Sequence, residues 1–280
     1  MADAEYLQYG GSTTCLAVFK KNGAGDTVPL IVDAGGGIIK LGEEIAEGIK
    51  SGAFSSQIYL LFTHYHCDHI EGFPYFAPLF MPGVHIHISG PLVQTASGEA
   101  WTVERILRAA MAEPHFPVSL DELAATCSFD SAPLNTGKPF TPLWKITSFD
   151  ASPKLHPKNG ARYYRITDPD TEKSLVLLWD IETPADKNSA EMASLYAFAH
   201  NCELLIHDTM YTDAEYADTE HSVHGFGHST YTMALENAAG AGAKTLAAFH
   251  YNPRHNDAFL RALEKEKKML FPQEGQKLKF

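Results

Sequence analysis

Hydrophobic and polar positions along the chain follow two patterns, short apolar runs typical of β-strands and longer runs with helical spacing. In the first half, the strand-like runs are TTCLAVF, VPLIVDAGGG, QIYLLFT and VHIHIS, and the helical pattern IKLGEEIAEGIKSG lies between the second and the third. Residues 91–111 favour a helix. Residues 115–155 are rich in proline and predict only short strands.

In the second half, the runs ARYYRIT and SLVLLWD flank the turn-like DPDTEKS and predict a β-hairpin. The helical SAEMASLYAFAHN then precedes a strand–helix–strand–helix series formed by CELLIHD, TYTMALENAAG, TLAAFHY and DAFLRALEKEKKML. This alternation predicts an α/β protein, and we expect two packed mixed β-sheets flanked by helices, an αββα sandwich. Because no linker-like tract divides the sequence, one domain over residues 1–280 is expected.

Composition narrows the class of protein. A formal net charge of −12 disfavours a general attraction to nucleic acid or to an anionic membrane. The start MADAEYLQYGG lacks the pattern of a signal peptide, and no apolar run reaches the ~18 residues of a membrane span, so a cytoplasmic protein without a membrane partner is expected. The four cysteines show no CxxC spacing and are expected to be free thiols in a reducing compartment.

The densest candidate chemistry follows the third apolar run, in LLFTHYHCDHIEGF. His64, His66, Asp68 and His69 form the pattern His-x-His-x-Asp-His, and imidazole and carboxylate are ligands that suit Zn²⁺, Mn²⁺ or Fe. His64 and His66 can point to one side of an extended segment. Asp68 and His69 are adjacent where the chain turns into a helix, so they can serve a second ion. Two ions about 3.5–4 Å apart give each of these side chains a role.

The pattern resembles the hallmark of the metallo-β-lactamase superfamily, and the resemblance extends over nearly the whole chain. YGGSTTCLAV and LIVDAGGGI, which contains Asp33, resemble the opening strands of that family. The later segments LHPKNGARYYRI, LVLLWDIE, LLIHDTMYTDAEY, GFGHST and LAAFHYNP most resemble the ribonuclease Z and phosphodiesterase branch. The residues that they contribute are His156, Asp180, Asp208, His228 and His250.

The resemblance implies a metal-dependent hydrolase with two divalent metal ions, of which Zn²⁺ is favoured and Mn²⁺ or Fe are alternatives. Two of the implied ligands, Asp180 and His250, also follow apolar strands, where an unpartnered charge or imidazole would be costly. The implied ligands are His64, His66 and His156 for the first ion, Asp68, His69 and His250 for the second, and Asp180 as the bridge between them.

The resemblance further implies hydrolysis of a phosphodiester by a metal-bridging hydroxide, with Asp68 among the catalytic residues. His228 would act as the general acid that protonates the departing alkoxide, and Asp208 would orient it. A plain helix start explains Ser229 and Thr230 as caps but leaves His228 unexplained. The expected substrate is a small nucleotide-like phosphodiester, for example a cyclic nucleotide. A homodimer is also implied.

Three alternatives remain open at this point. A tRNA 3′-end processing endonuclease of ribonuclease Z type would grip its substrate with a basic arm, but only 24 residues separate His156 from Asp180, and they hold the predicted hairpin. A thioesterase, lactonase or β-lactamase shares the metal ligands, and His228 argues against it. A non-catalytic metal-binding protein would be expected to have lost ligands, whereas every expected position is occupied.

Two nearby residues are predicted to have structural roles only. His207 alternates with Asp208 along a strand, so it should face the opposite way and lie either in the core or behind the site residues. Cys67 occupies the variable position of the motif and is not needed as a ligand, because the imidazoles and carboxylates around it already provide enough donors.

Overall fold

The structure is a computed structural model that describes residues 8–134, 139–152, 155–156, 160–184 and 186–280. These residues fall into two compact units. One comprises the described residues of Met1–Gly11 and Leu134–Phe280, and the other comprises Ser12–Pro133. A five-stranded mixed sheet lies at the centre of each unit.

The unit Ser12–Pro133 has seven strands and three α-helices among its described residues, with short 3-10 helices at Phe73–Tyr75, Ala77–Phe80 and Leu120–Glu122. The strands and helices are β1 (Leu16–Lys21), β2 (Thr27–Val32), α1 (Gly37–Lys50), β3 (Gln57–Leu61), α2 (Cys67–Ile70), β4 (His85–Ser89), β5 (Val93–Gln94), β6 (Ala100–Trp101), α3 (Val103–Ala110) and β7 (Thr126–Asp130).

The strand order in this unit is β1-β2-β3-β4-β7, with β5 and β6 forming a separate small hairpin. β1 and β2 are antiparallel, and the other pairs of the large sheet are parallel. β2 and β3 are buried over almost their whole length, as their continuous apolar sequences predict, whereas β7 at the sheet edge is only partly buried. Ile31, Leu60 and Ile88 form one core with Ile38 and Ile45 of α1, so the apolar stripe of this helix faces the sheet.

The second unit is built from strands β8 (Lys145–Asp150), β9 (Arg162–Thr167), β10 (Ser174–Leu178), β11 (Leu204–Asp208) and β12 (Thr245–Phe249) and helices α4 (Ala190–Ala199), α5 (Asp213–Ala217), α6 (Tyr231–Ala241) and α7 (Asp257–Glu266). Its strand order is β12-β11-β10-β9-β8. β8, β9 and β10 pair antiparallel, whereas β10, β11 and β12 pair parallel. The carboxyl ends of three neighbouring strands therefore lie at one edge of the sheet.

Helix boundaries in this unit follow local chemistry. The Thr230 hydroxyl accepts a hydrogen bond from the Met233 amide and caps α6, which ends at Gly242 in a left-handed conformation. The core between the sheet and its helices includes Val176, Leu205 and Leu246. None of the described helices has both the length and the apolar character required to cross a membrane.

The α/β class and the two mixed sheets are confirmed, as is the hairpin of β9 and β10, in which Ser174 pairs with Thr167. The prediction of a mainly helical segment over 91–111 is partly wrong, because β5 and β6 precede α3. There the Thr95 side chain bonds the backbone of Glu99 and closes a turn. The last predicted helix ends early, since Leu270 instead bonds β12 through Leu246. One domain over residues 1–280 stays a prediction.

Candidate metal centre

The His-x-His-x-Asp-His motif lies at the exit of β3 and in the first turn of α2, where the sequence predicted a helix to begin. Asp33, at the exit of β2, orients one of its imidazoles. The buried Asp33 carboxylate accepts hydrogen bonds from the amide and hydroxyl of Thr63, at 2.7 and 2.6 Å, and lies 2.8 Å from Nδ1 of His69. Because the carboxylate accepts a hydrogen bond from the Nδ1–H group, Nε2 of His69 is the nitrogen that can bind a metal ion.

Thr63 also sets the tautomer of His64. Its hydroxyl donates to Asp33, so its oxygen accepts from Nδ1 of His64, 3.1 Å away. Nε2 of His64 then carries a lone pair and lies 3.0 Å from Nδ1 of His66. The ring centroid of His64 is 4.5 Å from that of His66 and 4.1 Å from that of His69. Three imidazoles thus converge, two of them oriented by one carboxylate and one hydroxyl.

Asp68 extends this group with an oxygen donor. Its half-exposed carboxylate lies 3.3 Å from Nε2 of His69, the same nitrogen that Asp33 leaves open for a metal ion. A carboxylate oxygen and an imidazole nitrogen this close can bind one cation together. The imidazole nitrogens and the carboxylate oxygen are therefore donor atoms of the kind that bind a divalent metal ion.

Backbone contacts hold the motif against the exit of β2. The Ala34 amide donates to the His69 carbonyl at 2.8 Å, and the Gly72 amide donates to the Ala34 carbonyl at 2.9 Å. Gly35 lies so close that a Cβ atom there would be 2.2 Å from the Asp68 carbonyl oxygen. The motif loop and the Gly35 backbone consequently leave no room for a side chain between them.

The second group of candidate ligands lies where the parallel strands of the other unit end. Asp180 follows β10, Asp208 ends β11 and His250 follows β12. One potential ligand atom from each of these three residues and from His228 lies within 4.8 Å of the others. Nε2 of His250 is 3.3 Å from the Asp180 carboxylate. This grouping follows from the parallel pairing of β10, β11 and β12, which aligns their carboxyl ends.

Asp208 and His228 form the most tightly organised pair of this group. The fully buried Asp208 carboxylate lies 2.7 Å from Nδ1 of His228 and also accepts from the amides of Met210 and Ser229, both at 3.1 Å. The Asp208 carboxylate therefore accepts a hydrogen bond from the Nδ1–H group of His228 and fixes the tautomer in which Nε2 carries the lone pair. The His228 ring stacks on that of His250 with a 4.9 Å centroid separation.

His156 is buried, with 2% of its surface exposed, although its proline- and lysine-containing segment is typical of a surface loop. The carbonyl of the preceding Leu155 accepts a 2.7 Å hydrogen bond from the Glu182 amide. This bond ties the His156 segment to the exit of β10, where Asp180 lies. Its burial beside that strand exit is consistent with the predicted ligand role.

Three of the residues at the strand exits have an unusual backbone conformation. Asp33, Asp180 and His250 have φ values of 60°, 53° and 59°, in the left-handed region that residues other than glycine rarely adopt. Among the described non-glycine residues, only Glu172 and Asn201 share this conformation. Strained backbone of this kind is concentrated at functional sites in proteins.

The predicted burial of His207 is confirmed, and the prediction for Cys67 stays a prediction. His207 is buried between the Asp208 carbonyl, 2.7 Å from Nδ1, and the Asn237 amide, 2.9 Å from Nε2, and burial lowers its pKa. Cys67 is exposed. Sequence reasoning did not identify Thr63, or Glu182, whose carboxylate binds the loop before His228. Thr63 directly precedes the motif, which is a signal that could have identified it.

The two sheets and their helices define the metallo-β-lactamase fold, which the chain shares with solved structures of low sequence identity. The metallo-β-lactamase fold protein YhfI of Bacillus subtilis is similar to it with a TM-score of 0.57 and 17% identity, over 94% of this chain and 91% of that one. A diphosphatase of the PhnP family matches with a TM-score of 0.58 and 18% identity, over 94% and 83%. Yeast PDE1 matches with a TM-score of 0.60 and 12% identity, over 96% and 95%.

Among curated proteins, the chain is similar to ribonuclease Z of Picrophilus torridus, with 42% identity over 74 residues that make up 26% of this chain and 22% of that protein. Ribonuclease Z of Thermoplasma volcanium is 39% identical over 66 residues, 24% of this chain and 20% of that protein. The similarity thus spans about a fifth of the length of these relatives. No family model matches the chain.

Proposed function

We propose that this protein is a metal-dependent hydrolase that cleaves a small nucleotide-like phosphodiester, with cyclic nucleotides as the first candidates. The observation that carries the proposal is the Asp208–His228 pair, in which a buried carboxylate orients an imidazole next to Asp180 and His250. The fold shared with a PhnP-family diphosphatase and with yeast PDE1, and the local similarity to ribonuclease Z, support a phosphoric-ester substrate.

Two divalent ions, Zn²⁺ in preference to Mn²⁺ or Fe, belong to the proposal. The residues proposed to hold them are His64, His66 and His156 for one ion, Asp68, His69 and His250 for the other, and Asp180 for both. When bound, such a pair lowers the pKa of a water molecule and withdraws electron density from a phosphoryl oxygen. The convergence of imidazoles within Ser12–Pro133, and of carboxylates and imidazoles within the other unit, supports this assignment.

The proposed task of His228 is proton transfer. Hydrolysis forms a new P–O bond from water and breaks the ester P–O bond, and the departing alkoxide requires a proton. Nε2 of His228 supplies that proton, because Nδ1 is held by Asp208 and the carboxylate stabilises the imidazolium that donates it. The half-exposed Asp68 carboxylate is proposed to accept a hydrogen bond from the attacking water as well as to bind metal.

A second candidate function is tRNA 3′-end processing, which the local similarity to ribonuclease Z favours. The net charge of −12 and the short hairpin between β9 and β10 favour the small substrate instead. A thioesterase would share the metal ligands but would expel a thiolate, which leaves without a proton. A lactonase would expel an alkoxide, and the similarity to a diphosphatase and to ribonuclease Z is what favours a phosphoric ester over a lactone. A cytoplasmic location and a homodimer complete the proposal, and sedimentation analysis would measure the latter.

One experiment separates these functions. A single preparation with measured metal content is assayed against bis-p-nitrophenyl phosphate, a cyclic nucleotide, a precursor tRNA, a thioester and nitrocefin. Phosphodiester turnover with about two ions per chain is expected. Turnover of the thioester or of nitrocefin, without turnover of any phosphodiester, would contradict the proposed substrate class. Cleavage of precursor tRNA at far higher kcat/KM than the cyclic nucleotide would establish the second candidate.

A further inference from the structure

His228 lies in the segment between α5 and α6, which forms no helix or strand. Phe226 in this segment is 58% exposed, and Gly225 and Gly227 have φ values of 82° and 89°. A general acid must nevertheless stay within hydrogen-bond reach of the atom to which it gives its proton. The segment must therefore be held in place by contacts with the rest of the chain.

Glu182, just beyond the exit of β10, binds the segment at both glycines. Its Oε1 accepts from the Gly225 amide at 2.8 Å, and its Oε2 accepts from the Gly227 amide at 2.9 Å. Gly227 is the residue directly before His228. Both glycines have a left-handed backbone conformation, which lets their amides point to one carboxylate. A residue with a Cβ atom would adopt this conformation only with strain.

Glu182 also accepts from the α5 side chain Tyr216, whose hydroxyl lies 2.8 Å from Oε1. Burial and the neighbouring Glu182 carboxylate raise the pKa of Tyr216, so its phenol stays protonated and remains a donor at neutral pH. One carboxylate thus receives three donors and joins α5 to the glycine segment.

The chain around Glu182 is itself fixed. The Glu182 amide donates to the Leu155 carbonyl at 2.7 Å, and the carbonyl of the preceding Ile181 accepts from the Ser229 hydroxyl. The exit of β10 therefore contacts the residue before His228 through Glu182 and the residue after it through Ile181. Both neighbours of His228 are held by one short stretch of backbone.

We propose that Glu182 is a positioning residue for His228. Its carboxylate keeps residues 225–227 in place, so that the His228 ring stays hydrogen-bonded to Asp208 with Nε2 turned toward the leaving group. The proposal rests on the proposed function, because it assigns to Glu182 the placement of the general acid. The hydrogen bond from Glu182 to the Gly227 amide fixes the backbone one residue before His228, whereas Asp208 contacts the His228 ring directly.

The variant Glu182→Gln tests this with little change of shape. A glutamine has one acceptor oxygen and an NH₂ group that only donates, so it cannot accept from Gly225, Gly227 and Tyr216 as the carboxylate does. Glu220→Gln is the matched control, because Glu220 is an exposed glutamate in the same segment. Metal content and thermal unfolding are measured for both variants.

The kinetic test compares a cyclic nucleotide, whose leaving group is an alkoxide, with the activated bis-p-nitrophenyl phosphate. For Glu182→Gln we expect kcat on the cyclic nucleotide to fall about 10- to 100-fold, less than threefold loss on the activated ester, and unchanged metal content. The double variant Glu182→Gln/His228→Ala should hydrolyse the cyclic nucleotide no more slowly than His228→Ala alone, because both changes abolish the same proton transfer. Equal losses on the two substrates, additive losses, or loss of metal would overturn the proposal.

A second measurement does not depend on turnover. Hydrogen–deuterium exchange of the metal-loaded protein should become at least tenfold faster at the Gly225 and Gly227 amides in Glu182→Gln and stay unchanged in Glu220→Gln. Unchanged exchange in Glu182→Gln would overturn the proposal whatever the substrate. If the wild-type protein hydrolyses no phosphodiester, the proposed function fails, while the exchange result still decides whether Glu182 holds the segment.

Discussion

The carboxylate of Asp33 and the imidazole of His69 form a 2.8 Å contact in which both side chains are completely buried. The same carboxylate accepts two hydrogen bonds from Thr63, whose hydroxyl in turn contacts His64. One residue outside the histidine motif thereby sets the orientation of two imidazoles within it. Hydrogen-bond partners of metal ligands commonly tune metal affinity in this way.

Replacing Asp33 should therefore weaken metal binding without removing a ligand. In Asp33→Asn the amide NH₂ group, which only donates, faces the donors from which the carboxylate accepted hydrogen bonds. Asparagine tolerates the left-handed backbone conformation of this position. We expect metal affinity to fall about 10- to 100-fold, measured by competition with a chromogenic chelator. Asp121→Asn, at an exposed carboxylate that pairs only with Arg108 in the described contacts, is the control. Equal affinity in the two variants would show that Asp33 does not orient His69.

His228→Ala should separate substrates by their leaving groups. Loss of a general acid is expected to slow the cyclic nucleotide by about 10²- to 10⁴-fold, and the p-nitrophenyl ester by less than tenfold, because p-nitrophenolate leaves without a proton. Metal content should stay at the wild-type value, measured by mass spectrometry of the digested protein. A uniform loss on both esters would argue that His228 does not donate the proton.

Asp180→Asn tests the proposed bridging ligand. An amide is a weaker ligand than a carboxylate for a hard or borderline cation, and Asp180 also faces His250 at 3.3 Å. We expect the variant to retain at most about one ion per chain and to lose hydrolysis of both esters. Wild-type metal content in this variant would contradict the bridging role.

Gly35→Ala should disturb the motif loop through contact alone. The added Cβ atom would lie 2.2 Å from the Asp68 carbonyl oxygen and 2.7 Å from the Thr14 amide nitrogen, both backbone atoms that cannot move freely. We expect lower stability by about 2 kcal/mol or more, together with reduced metal affinity. Gly23→Ala is the control, because no heavy atom lies within 4 Å of a Cβ at that position. The two variants are compared by urea unfolding and by metal titration.

The four cysteines should differ sharply in reactivity. Burial raises the pKa of the Cys127 and Cys202 thiols to about 11 and also raises that of Cys15, so little thiolate forms at neutral pH. Cys67 is exposed and should be alkylated first by iodoacetamide at pH 7.5, as peptide mass spectrometry would show. Cys67→Ser should keep its full metal content. A loss of metal in that variant would make Cys67 a ligand, against the prediction from its position.

Local chemistry explains which parts of the site could be predicted from the sequence. The start of α2 within the motif and the capping of α6 after His228 each depend on neighbours a few positions away. The polar residues at the ends of β10, β11 and β12 follow apolar runs that are visible in the sequence, and parallel pairing then aligns them.

The remaining features depend on contacts between distant segments. Asp33 meets His69 across 36 positions, and Glu182 meets Gly225 across 43, so no local pattern connects either pair. The incorrect helix prediction over residues 91–111 has a different, local cause, because the turn that Thr95 closes with Glu99 interrupts the helical pattern there. Glu182 lies two positions after Asp180, and two of its three partners are backbone amides, which no side-chain pattern in the sequence identifies.

The left-handed conformation of Asp33, Asp180 and His250 has a consequence for how this protein would change under selection. Each such residue costs about 1 kcal/mol or more in folding free energy relative to a relaxed backbone. Bound metal would offset that cost, because a ligand that binds only the folded state stabilises it. A screen for heat resistance carried out with a chelator is therefore expected to enrich changes such as Asp180→Gly. Such variants would be more stable without metal and would lose the proposed metal-dependent activity at the same time.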